Sequence, residues 1–320
     1  MNKFFLSLLL LSVIIISGCS IPGLPDFGSG AKGQFENDIV IIKDQSVFPD
    51  TAKVGQKISL VSYIQNLGEK NPAGFTVSID LYDTCGVFSA IKAKCPKDAD
   101  TPSQTACAQM ALLPKEIKEI SWDLTPDPEK VKVNIPSCKL KVAVSYPYST
   151  STQSELYFIN SQEARLQQEQ KGGVSQKSSS WQKGNGPVAA YLIPDSNVRQ
   201  PIPGNSVGEG QYVPTSLYVE NLGSGFLQKN LIERDSLAVK VDDNLPSIKK
   251  DNGCPPNSVT EIKLIGKKSP PQGCQLKIPD DTDISREKTS RISVDLRDYT
   301  YEFRKESSVS IETGITEAKK

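Results

Sequence analysis

Along much of the chain, apolar and polar residues alternate with a period of two. Phe75, Val77, Ile79 and Leu81 do so, as do Leu140, Val142, Val144 and Tyr146. Ile120, Trp122 and Leu124 repeat the pattern, and so do Ile292, Val294 and Leu296. This alternation predicts strands with one buried and one wet face. Turn residues separate the strands, for example Asn66-Leu67-Gly68 and Asn221-Leu222-Gly223. Trp122 and Tyr146 fall on the apolar phase and are expected in a core.

The pattern occurs twice. "GQKISLVSYIQNLG" at Gly55–Gly68 returns as "GQYVPTSLYVENLG" at Gly210–Gly223, an offset of 155. Tyr146-Pro147-Tyr148 returns as Tyr299-Thr300-Tyr301, an offset of 153. A nearly constant offset means two copies of one unit. About seven short strands per copy predict antiparallel sandwiches of the immunoglobulin type. The predicted fold is all-β: two tandem immunoglobulin-like β-sandwiches at residues 35–160 and 186–312, with a tail over 313–320. A flexible, partly helical linker over 161–185 joins them. Within it Asn160 and Glu163 can cap a short helix running to Gln170, and Trp181 is expected to dock on a domain face.

A strand, an Asn-x-Gly turn and an alternating strand ending in Leu81-Tyr82-Asp83 resemble the immunoglobulin-like CARDB domain, the cell-adhesion-related domain of prokaryotic surface proteins. Asn66, Gly68, Asn221 and Gly223 carry the motif. The resemblance implies a surface module that adheres to or binds other components.

The first residues follow another pattern. Lys3 precedes an apolar block from Phe4 to Ile16, interrupted only by Ser7 and Ser12. A helix crossing the hydrocarbon core needs roughly 20 apolar residues, so this block fits the apolar region of a secretory signal over residues 1–18. Ile16-Ser17-Gly18-Cys19 resembles a lipobox, at which lipoproteins are lipidated on cysteine and cut just before it. Lipidation at Cys19 would anchor the protein on the outer side of a membrane, with residues 19–34, rich in Gly and Pro, as a flexible tether.

Lys+Arg and Asp+Glu both total 37, so no nucleic-acid footprint is expected. Histidine is absent, which removes the commonest general base and zinc ligand. No catalytic residue, metal site or cofactor is predicted. Asp242-Asp243-Asn244 and Asp280–Asp283 offer oxygen ligands but lack calcium-loop spacing and read as solvated turns. Beyond Cys19, six cysteines in an exported chain are expected to be oxidised. In an immunoglobulin-like sandwich the end of strand C lies beside the start of strand F, which pairs Cys85 with Cys138. That leaves Cys95 with Cys107, one of three possible connectivities, and Cys254 with Cys274.

The stretch Thr84–Cys107 is expected as a long connection. Its apolar Val87, Phe88 and Ile91 form either a candidate partner-binding loop or a cover over an open sheet edge. Three function classes follow. The first is a non-catalytic, lipid-anchored surface protein that binds a protein or envelope polymer. The second is an accessory structural subunit of an envelope complex, and the third is an enzyme with an unrecognised carboxylate site.

Overall fold

The computed structural model describes residues 37–68, 76–171, 180–182, 184–195, 202–204, 212–241, 247–248, 253–277 and 288–314. Cys19, the signal, the tether and both acidic clusters lie outside these residues. The first copy supplies β1 (Val40–Phe48), β2 (Thr51–Lys53), β3 (Ile58–Asn66), β4 (Thr76–Asp83), β5 (Phe88–Lys94), β6 (Ala106–Ala111), β7 (Ile117–Pro126) and β8 (Ile135–Asn160). Helix α1 (Ser161–Lys171) and β9 (Ser180–Gln182) follow. The second copy supplies β10 (Val188–Pro194), β11 (Ile202–Gly204), β12 (Tyr212–Asn221), β13 (Phe226–Leu227), β14 (Leu231–Glu233) and β15 (Leu237–Val241). It ends with β16 (Ser247–Ile248), β17 (Glu261–Lys263), β18 (Gln272–Lys277) and β19 (Lys288–Glu312). Among the described residues no helix is long and apolar enough to cross a membrane.

The protein is an all-β sandwich. One four-stranded sheet has the order β1-β3-β7-β5, and a second has β10-β12-β18-β16. The third and largest sheet runs β13-β19-β8-β4-β6 and also takes in β2, β9, β11 and β15. It is built around two very long strands. β8 and β19 pair antiparallel from Ile135↔Ile311 to Phe158↔Lys288. One half of β8 lies in the first copy's sandwich, and the other half runs on into the second. β19 does the reverse.

The buried positions of β8 keep one parity as far as Leu156, beyond which Tyr157 is buried as well as Phe158. Leu140, Val142, Val144 and Tyr146 are followed by Thr150, Thr152, Ser154, Leu156 and Phe158. A strand shows one face at every second residue, so both smaller sheets pack on the same face of the shared sheet. Hydrogen bonds mark the two contacts. Lys305 Nζ donates to Lys43 O (3.0 Å) under β1, and Thr150 Oγ1 donates to Val188 O (2.8 Å) under β10. The opposite face, with Ser145, Ser151 and Gln153, turns to solvent.

At the crossing, Tyr146 pairs with Tyr301 and Tyr148 with Tyr299. Exchanging the two copies maps each pair onto the other, which is a local two-fold axis through the sheet. The edges obey the same symmetry: β2 runs parallel to the end of β19, and β11 runs parallel to the end of β8. The arrangement is that of an isologous dimer within one chain. The rings pack edge to face, at 5.8 Å between centroids for Tyr146–Tyr301 and 6.1 Å for Tyr148–Tyr299. Burial pushes the Tyr146 and Tyr299 hydroxyls well above the usual phenol range, and burial with Asp38 nearby does the same to Tyr301.

A second contact ties the start of the first copy to the second. Asp38 is 3% exposed and accepts hydrogen bonds from Ser224 N (3.1 Å) and from the Ser224 hydroxyl. Asn37 Nδ2 donates to Leu222 O (3.0 Å). Gly223 sits between them, where a Cβ would collide with the Tyr301 hydroxyl and the Asp38 carboxylate.

A candidate binding groove on the shared sheet

The solvent face of the shared sheet is built from the polar phases of five strands. Because Leu81, Val142 and Val144 point into the core, Asp80, Tyr82, Ala143 and Ser145 point out. The register lines these positions into rows. Ser78 lies opposite Ser145, Ser145 opposite Glu302, and Glu302 opposite Phe226. In the next row Asp80 lies opposite Ala143, and Ala143 opposite Arg304. On its other side Asp80 meets Ala106 of β6.

Small side chains in the middle and large ones at the margin leave an open groove of about 430 Å³. Its floor is Ser78, Ala106, Ala143 and Ser145. Tyr82, 43% exposed, stands at the rim, and Phe226, 47% exposed, lies outside the lining. Large apolar groups at the wet phase of a strand are the exception that calls for a reason. Between them lies Arg304, its guanidinium carbon 5.4 Å from the Tyr82 ring centre and 5.2 Å from that of Phe226. Arg304 Nε donates to the Glu302 carboxylate, and this partner raises the guanidinium further above its ordinary range. Asp80 Oδ1 is buried at the floor and has no hydrogen-bond partner among the described residues.

Neither copy contains the groove alone. Ser78, Asp80, Tyr82, Ala143 and Ser145 come from the first, and Gln228, Glu302 and Arg304 from the second. The groove offers two carboxylates, guanidinium donors, two serine hydroxyls and the ring of Tyr82. Among the described residues no three metal-ligating side chains gather at one point.

The residues singled out from sequence take these places. Cys85 is bonded to Cys138, Cys95 to Cys107 and Cys254 to Cys274, with Cα separations of 5.7, 5.6 and 5.1 Å. Much of the stretch Thr84–Cys107 is not a loop. Its residues Phe88–Lys94 form β5, an edge strand that pairs with β7. Phe88 is 6% exposed, and Val87 and Ile91 are partly buried against the core. Over Phe88–Lys94 the expected long connection is instead a paired strand, because these side chains find apolar partners inside the sandwich. The residues after β5 fold over the sheet edge, where Ala93 N donates to Gln104 O (2.8 Å) and Trp122 Nε1 to Thr105 O (2.6 Å).

The Asn-Leu-Gly turns are structural. Asn66 Nδ2 donates to Leu112 O (3.0 Å) while its Oδ1 accepts from Gly68 N (2.8 Å). Asn221 repeats this with Gly225 O (2.8 Å) and Gly223 N (3.1 Å). Such side chains imitate a backbone turn. Trp181 stacks on Tyr191 at 4.1 Å, and Tyr191 stacks on Tyr218 at 5.7 Å. Asp80, Glu302 and Arg304 carry no mark in the sequence pattern, and Tyr82 enters it only within the Leu81-Tyr82-Asp83 motif. The available signal was Tyr82 itself, a ring on the polar phase of an alternating strand.

No protein-family model matches this chain, and no curated protein does. Among solved structures, the collagen-binding domain of the Erysipelothrix rhusiopathiae surface protein RspB is 8% identical, the match covering 87% of this chain and 94% of that one, with a TM-score of 0.15. The collagen adhesin (CNA) from S. aureus is 10% identical over the same shares, 87% and 94%, with a TM-score of 0.13. At these values the likeness carries no argument, and the fold rests on the strand order given above.

Proposed function

We propose that this protein is a non-catalytic surface module, exported and anchored to a membrane through lipid on Cys19, which captures an envelope component in the groove of its shared sheet. The observation that carries the reading is the groove itself. It holds the exposed ring of Tyr82, a guanidinium paired with Glu302 and a buried carboxylate oxygen of Asp80 without a partner among the described residues, all on a paired sheet. Rigid presentation lowers the ordering cost of binding. Three disulfides suit an oxidising compartment. The lipobox-like Ile16–Cys19 and the CARDB-like turns point to the same place in the cell.

Two experiments test this. In the native host, Cys19→Ser should leave the protein unlipidated and no longer held by membranes, whereas lipid-free wild type starting at Met1 would refute the anchor. For the groove, the folded ectodomain should sediment with native envelope material. The combined Tyr82→Ala, Phe226→Ala and Arg304→Ala variant should lose at least tenfold of that capture. Equal capture by both would refute the groove as the binding face.

A further inference from the structure

We infer that the groove takes a neutral glycan, a conclusion that rests on its being the binding face. The charges select the class. The guanidinium of Arg304 already occupies the position between Tyr82 and Phe226 where an incoming cation would sit, and it would repel a second one. Its charge is matched by Glu302, and Asp80 adds a further carboxylate on the floor. An anionic ligand therefore meets two carboxylates against one guanidinium. A ligand without net charge avoids both penalties.

The hydrogen-bonding groups select further. Asp80 only accepts and Arg304 only donates, while Ser78 and Ser145 do either. A ligand satisfying all of them must carry many groups that both donate and accept at short intervals, as sugar hydroxyls do. Tyr82, 43% exposed at the rim, offers apolar ring surface to the carbon-bound hydrogens of a sugar. A peptide is disfavoured by the backbone. An extended peptide adds to a free sheet edge, but the floor is the face of strands already paired on both sides, β4 between β6 and β8, and β8 between β4 and β19. The volume, about 430 Å³, falls within the usual small-ligand range of roughly 300–1,000 Å³.

The test uses the ectodomain and native envelope material divided into three portions: untreated, oxidised with periodate to cleave vicinal diols, or digested with protease. The ectodomain should bind untreated and protease-digested material alike and lose at least tenfold on the periodate-oxidised portion. Asp80→Asn, which keeps the shape of the side chain, and the exposed Tyr82→Ala should each weaken capture of untreated material several-fold. Their circular dichroism and melting should match wild type. Arg291→Ala, on the other half of the sheet, should bind as wild type.

Binding destroyed by protease and spared by periodate, yet still lost in the groove variants, would overturn the glycan assignment and leave the groove as a protein-binding face. Binding unchanged in the folded groove variants would overturn the groove itself, and with it the glycan. Failure of the wild-type ectodomain to bind untreated material would overturn both.

Discussion

The solvent face of the shared sheet has two halves, built on strands of the same kind but carrying different chemistry. In the half over the first copy, Ser78, Ala143 and Ser145 leave a hollow beside Tyr82 and Arg304. In the half over the second copy, Asp295 is held by Lys240 at 2.6 Å, Ser151 at 2.7 Å and Arg297 at 3.4 Å. Arg291 closes on Glu155 at 3.2 Å. Those charges meet one another, whereas Asp80 Oδ1 meets no partner among the described residues. The inner faces are constrained by packing in both copies, down to the matching tyrosine pairs, so divergence falls on the outer face. The two copies supply a matching frame, and their outer faces differ.

The comparison breaks most severely if the crossing is disrupted. Tyr301 is fully buried, packs on Tyr146 and donates to Asn221 Oδ1 (3.0 Å). Tyr301→Ala should cost about 3–5 kcal/mol. Because both sandwiches share the strand, calorimetry should show one lowered transition for the whole protein. A shift confined to one of two resolved transitions would mean that the copies fold independently.

The disulfides sharpen the difference between the copies. Cys85–Cys138 spans 53 residues and Cys254–Cys274 spans 20. By loop-closure entropy, losing the first should cost about 4 kcal/mol and losing the second about 3 kcal/mol. Denaturant melts of the paired Cys→Ala variants check the order. Asp38→Ala comes next, at about 1–3 kcal/mol, since it removes a nearly buried carboxylate that accepts from both Ser224 N and the Ser224 hydroxyl. A neutral result in the same melts would mean that the clasp contributes nothing to joining the copies.

The fold was legible where alternation was apolar. Leu140, Val142 and Val144 announce the first half of β8, and Ile292, Val294 and Leu296 announce the first half of β19. The second half of β8 was hidden because its inward residues are Thr150, Thr152 and Ser154. A run of Ser and Thr reads as solvent-exposed, yet Thr150 Oγ1 donates to Val188 O and Ser154 Oγ accepts from Leu192 N (3.2 Å). Local hydrogen bonds to β10 make the burial of Thr150 and Ser154 tolerable, while Thr152 Oγ1 is buried with no hydrogen-bond partner among the described residues; no periodicity displays either. The groove was hidden for another reason. Its residues lie more than 200 positions apart in sequence, from Ser78 to Arg304, and only the pairing of β8 with β19 brings them together.

The smallest effects are expected from acid. Burial pushes the Asp123 carboxyl up, but hydrogen bonds from Lys57 (2.6 Å) and Lys94 (3.0 Å) outweigh it and hold the group below the usual range. Asp295 is held down in the same way by Lys240, Ser151 and Arg297. A carboxyl depressed in the folded state adds stability that is full above its unfolded value, about 4, and fades as pH falls through the folded one. Asp123→Asn and Asp295→Asn should each lower stability by about 1 kcal/mol or less at pH 7, with the difference vanishing in melts near pH 2. A penalty that persists there would assign these residues a role other than charge.

The most direct test of the shared sheet is native-state hydrogen exchange over Ser151–Leu156. These residues follow the first copy's apolar strand and have the composition of a linker, but they pair residue for residue with Ser290–Asp295. Those amides that are bonded within the sheet should exchange only through global unfolding, at the same free energy as Val142 and Val144 in the first copy's core. Exchange within seconds, at the rate of an exposed chain, would mean that β8 ends at the crossing and that the two copies do not share a sheet.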